Sequence, residues 1–125
     1  MHYIIKEYKT THEDIKHSIK ITIEVEWEHL DPKALFENED DGVIEWVIDQ
    51  IEQENIFAWC VIGVTAKIDD EKIDLKGYSS LCGCSYENEN ELLNCDYMPE
   101  LIDEAIKDLI GHIDYTGNFL KSNYL

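Results

Sequence analysis

Four cysteines are the first residues whose type and spacing suggest chemistry: Cys60, Cys82, Cys84 and Cys95. Cys82, Cys84 and Cys95, completed by Cys60 or a histidine, would make a four-ligand zinc set. The C-x-C pair is tighter than the usual C-x₂₋₄-C knuckle, and no fourth ligand declares itself. Cys60 falls inside an apolar run, where a cysteine acts as a small hydrophobe. The reading is therefore no metal and no cofactor, with a Cys-based metal site kept as a rival. The C-x-C pair also lacks the spacing of the C-x-x-C redox motif. The histidines His2, His12, His17, His29 and His112 form no catalytic spacing with an acid or cysteine and read as solvated surface residues. No G-x-S-x-G, H-E-x-x-H, P-loop or G-x-G-x-x-G occurs, so the chain does not read as an enzyme.

Charge is the remaining chemistry. The chain carries 28 acids against 10 bases, a net charge of −18, and every base is lysine. Such a surface repels nucleic acid and anionic membrane. The absence of arginine removes the usual bidentate phosphate reader. The fitting partner is a basic protein of the nucleic-acid-binding kind, and plain solubility explains the same acidity. The loop acids Glu37, Glu39, Asp40 and Asp41 are a candidate cation loop but lack the twelve-residue EF-hand pattern. No stretch reaches the ~20 apolar residues of a membrane span. The N-terminus shows no secretory signal. The expectation is a cytoplasmic protein with reduced cysteines.

These residues need positioning elements. Residues 3–9 read as a strand and 10–14 as a loop. Ile19, Ile21, Ile23, Val25 and Trp27 alternate with polar residues through Glu28, the period of a half-buried strand hairpinned to the first. Asp31-Pro32 reads as a helix start. Ile44, Val47, Ile48 and Ile51 mark one face of a helix beginning near Asp41. Residues 56–68 are apolar enough for a central strand, returned antiparallel by 72–80. Residues 81–91 read as a loop, followed by a helical turn and a last helix over about 99–114. Phe57, Trp59, Trp27 and Trp46 read as core rather than as a binding patch. The expected fold is a single α+β domain of order ββαββα. It has a four-stranded, mostly antiparallel sheet with helices packed on one face.

On that frame Glu24, Glu26 and Glu28 fall on one exposed strand face, about 6.6–6.8 Å apart, a spacing similar to that of phosphates along a nucleic-acid strand. Helical rows add Glu45, Asp49 and Glu52, then Glu100, Asp103, Glu104 and Asp108. Like charges at i, i+4 destabilise a helix by about 0.2–0.5 kcal/mol per pair. A use other than stability, such as polyanion mimicry, would favour keeping them. The candidate partner contacts are thus Glu24, Glu26, Glu28, Glu37, Glu39, Asp40 and Asp41.

The segments FAWCVIGVTAKI, GYSSLCGCSYENENE and DYMPELIDEAIKDLI within residues 56–110 resemble small acidic hypothetical proteins of phages and mobile elements. In that group an aromatic-rich strand precedes an L-G-x-C-S-Y stretch with acids, and a D-M-x-x-E-A-x-x-x-L helix closes the unit. The resemblance covers under half the chain, and Pro99 departs from it, standing where the group's helix continues. It brings no catalytic residues. It implies an inhibitor of host defence, of anti-CRISPR or anti-restriction type and acting as a DNA mimic in the host cytoplasm. Rival readings are an immunity protein for a basic toxin nuclease, a Cys-based metal-binding protein and a structural accessory protein. A homodimer is compatible with each.

Overall fold

A computed structural model describes residues 2–35 and 41–115. Strands β1 (Tyr3–His12) and β2 (Ile15–Trp27) form the first hairpin. Helices α1 (Pro32–Leu35) and α2 (Asp41–Glu52) follow, then a 3₁₀ turn at Ile56–Ala58. Strands β3 (Cys60–Ile68) and β4 (Lys76–Cys84) make the second hairpin, and helices α3 (Glu89–Leu93) and α4 (Met98–Tyr115) close the order. The four strands pair in sequence order, every pair antiparallel. The class is α+β, ββαββα, with α2 and α4 packed against the sheet.

Alternation explains the core. Ile19, Ile21, Ile23 and Val25 of β2 lie beside Ile68, Ala66, Val64 and Ile62 of β3, and all eight are buried. Leu101, Ala105, Leu109 and Ile113 of α4 recur at intervals of four and cover that face. The approach is close. A Cβ on Gly77 would stand 2.2 Å from both the Ala105 carbonyl oxygen and the Leu109 amide nitrogen. The Ser79 hydroxyl donates to the Leu101 carbonyl at 2.5 Å. Polar side chains of α4 also occupy the outer edge of β4. The Tyr78 amide donates to Asp108 Oδ2 at 2.9 Å, and His112 Nδ1 lies 2.7 Å from the Lys76 carbonyl. A carbonyl only accepts, so that nitrogen carries the proton. Capping an edge in this way blocks pairing with another chain.

Four boundaries differ from those expected. The first hairpin is longer, because His12 pairs directly with Ile15 and only Glu13 and Asp14 turn. Residues 56–58 form a 3₁₀ turn instead of strand. The Trp59 indole N–H donates to the Leu30 carbonyl at 2.8 Å, anchoring the chain as it leaves α2 and enters the sheet. The connection before β4 runs to Leu75, since the Asp70 carbonyl and carboxylate hold a turn that buries Ile73. Finally, Leu81 to Cys84 belong to β4 rather than to a loop.

Candidate functional site

The glutamates of β2 do not form one row of free carboxylates. Glu24 and Glu26 share the face opposite α4, and their side chains are only 24% and 32% exposed. One imidazole spans both: His2 Nδ1 lies 3.6 Å from Glu24 and Nε2 lies 3.5 Å from Glu26. Tyr78 sits beside them, its hydroxyl over Gly63. Burial and then the two carboxylates raise the phenol's pKa.

Glu28 lies past the end of β2 and has a different task. Opposite it, β4 carries a bulge. Ile62 pairs with Leu81, but Cys60 pairs with Cys84, so one extra residue is accommodated. Gly83 takes it up at φ +65°, a conformation that favours glycine. The amide of Gly83 donates to Glu28 Oε2 at 2.8 Å, while Leu30 N–H donates to Oε1 at 3.1 Å. Glu28 is thus a clamp on the corner between β2 and β4. Glu37, Glu39 and Asp40 lie outside the described residues, and Asp41 is the first residue of α2.

The bulge also divides the C-x-C pair. Residues two apart in a regular strand share a face. With one extra residue inserted, Cys82 is exposed and Cys84 is buried. Cys84 instead meets Cys60 across the strands. Burial, with Cys84 and Glu28 adding, pushes the Cys60 thiol up to about 12. Burial and then Cys95 push Cys84 to about 12 as well. Such thiols stay protonated at neutral pH in the metal-free protein. Among the described residues no group of three or more His, Cys, Asp or Glu side chains is placed to hold a metal ion.

The denser acidic surface lies elsewhere. From residue 87 to residue 107 the chain carries Glu87, Glu89, Glu91, Asp96, Glu100, Asp103 and Glu104, all exposed, against the single base Lys107. Local chemistry holds this band in place. Asn88 caps α3 by accepting from the Glu91 amide at 2.9 Å. Lys107 pairs with Asp103 at 2.9 Å and also feels the Glu104 carboxylate. Tyr97 stands within the band with 56% of its surface exposed. The sequence places helical acids here without ranking them above the β2 glutamates. The exposure of consecutive acids across α3 and α4 is the signal that ranks them.

Lysine is segregated in the opposite sense. Lys9, Lys20, Lys67 and Lys76 are direct cross-strand neighbours, one on each strand, forming a row across the open face of the sheet. Lys9 pairs with Asp69 at 3.0 Å and Lys20 with Glu7 at 2.9 Å. Like charges directly opposite one another destabilise a sheet. Sequence reasoning missed this row because it depends on strand register.

The chain was compared with family models, curated proteins and solved structures, and none of them matches it.

Proposed function

We propose that the protein acts by binding a basic surface on a nucleic-acid-binding protein. The fitting biological role is a phage or mobile-element inhibitor of host defence, of anti-CRISPR or anti-restriction type. The observation that carries the reading is the band of seven exposed acids over residues 87–107, faced by one lysine. Its carboxylates would stand in for the phosphates that the partner normally holds. Exposed charges steer encounter and set partner choice, and a few aromatic or apolar contacts supply the geometry. Tyr97, exposed among these acids, would be such a contact. Glu24 and Glu26 form a smaller second acidic site, with the His2 imidazole against both carboxylates.

The test is capture from host lysate with tagged protein at low and high salt, read by mass spectrometry. The expected result is one basic nucleic-acid-binding protein, retained at low salt and lost at high salt. It should also be lost when Glu100→Lys and Glu104→Lys are combined. Capture that ignores both salt and the double variant would overturn the reading, as would no capture at all.

A further inference from the structure

A cavity of about 710 Å³ opens where the sheet meets the end of α2. Among the described residues its aromatic lining is Tyr3, Trp27 and Phe57, its aliphatic lining Val25, Ile51 and Ile56, and its charged group Glu54. We propose that this cavity receives a cationic side chain, arginine or lysine, from the basic partner; the inference rests on the binding function proposed above.

Three observations converge on a cation. The first is the lining. Aromatic faces attract guanidinium and ammonium groups, most strongly where water is partly excluded. A cavity of this volume falls in the range of pre-formed ligand sites. The aliphatic residues suit the methylene stem of a long basic side chain.

The second is the backbone of Glu54. It is the one non-glycine among the described residues with positive φ, at +61°. It stands just past α2, where the Asn55 amide closes the helix onto the Gln50 carbonyl at 3.0 Å. Glycine is the favoured residue at such a position, because a Cβ is disfavoured there. Glutamate therefore holds this place against the local conformational preference.

The third is electrostatic. A helix C-terminus carries partial negative charge and favours a basic residue. The last turn of α2 has none, and Glu52 and Glu54 add further negative charge there. A bound cation would answer the carboxylate, the helix end and the ring faces together. Helix-forming and capping preferences alone would place a glycine or a lysine at residue 54. The cavity supplies the reason for a glutamate.

The test uses the whole protein and three blocked tripeptides, Gly-X-Gly, with X arginine, citrulline or leucine. Binding is followed by NMR at the Trp27 indole N–H, assigned by its loss in Trp27→Phe. The arginine peptide should shift that signal saturably, with the citrulline and leucine peptides weaker by about tenfold, a factor that corresponds to about 1.4 kcal/mol. Glu54→Gly should abolish the preference for arginine while raising the melting temperature, so lost binding could not be ascribed to misfolding. Equal binding of arginine and citrulline, unchanged binding by Glu54→Gly, shifts confined to the acids of α3 and α4, or no shift at all would overturn the inference. Capture of the basic partner by Glu54→Gly as fully as by the parent would overturn it too, and would leave the proposed function standing. An arginine peptide seated in the cavity, with no basic protein captured from lysate, would do the reverse.

Discussion

The two faces of the sheet are made from alternate residues of the same four strands, yet they follow opposite rules. On the covered face, space is the constraint: isoleucine, valine and alanine meet α4 so closely that β4 has glycine at position 77. On the open face, charge and solvent are the constraint, with four lysines in one cross-strand row and Glu24 and Glu26 bridged by His2 farther along. A residue's neighbours across the strands, rather than its type, decide what a substitution will do.

The sharpest way to break this contrast is a matched pair of glycine substitutions. Gly77→Ala must displace α4, because its Cβ meets backbone atoms at 2.2 Å. We expect a loss of about 3 kcal/mol in urea unfolding. Gly63→Ala on the open face meets the Tyr78 hydroxyl at 2.9 Å, the far end of a side chain that can swing away. We expect less than about 1 kcal/mol there. Equal losses would mean that α4 does not seat on Gly77 as described.

The divided cysteine pair gives the next contrast. Cys82 on the open side should react with a maleimide at once in the native protein, whereas Cys84 and Cys60 should react only on unfolding. The same burial predicts a pH dependence. The folded Cys60 thiol titrates near 12, against an ordinary value of 9.0. Between those values the unfolded chain has released a proton that the folded chain still holds. Stability should therefore fall as pH rises from about 9 to about 12, by up to about 1.4 kcal/mol per unit for this group. Chemical denaturation of the parent and of Cys60→Ala across that window measures it, and an identical slope in both would remove the thiol as the cause.

A smaller effect separates Glu28 from its neighbours. Glu28→Ala strips the acceptors from the Gly83 and Leu30 amides and should cost about 1–2 kcal/mol. Glu26→Ala should stay within about 0.5 kcal/mol. Smallest is the lysine row. Lys67→Gln should stabilise by about 0.2–1 kcal/mol by relieving like charges. The gain should shrink at high salt, where exposed charges are screened. Destabilisation would show that the row is held by anions the fold itself supplies.

Much of this was legible in the amino-acid order. The alternation from Ile19 to Trp27 marks β2 because a pleated strand buries every second residue. The stripe from Leu101 to Ile113 marks α4 because a helix returns to one face every three to four residues. From these the class, the element order and the antiparallel sheet follow. The surroundings of the candidate contact residues were less legible. Glu24, Glu26 and Glu28 look equivalent as a sequence, since each follows an apolar residue. Only the end of β2 at Trp27 and the bulge across from it turn Glu28 inward to Gly83 and leave the other two with His2.

Local periodicity is a property of neighbours along the chain, so sequence alone determined the element order and the apolar side of β2 and α4, while the bounds of β3 and β4 were set by pairing and turns. Register is a property of neighbours across it. The alignment of Lys9, Lys20, Lys67 and Lys76, the parting of Cys82 from Cys84 by one extra residue, and the gathering of Tyr3, Trp27, Glu54 and Phe57 around one cavity were decided only by the tertiary structure. Each depends on residues distant in sequence, brought together by backbone hydrogen bonds and packing that no local pattern encodes.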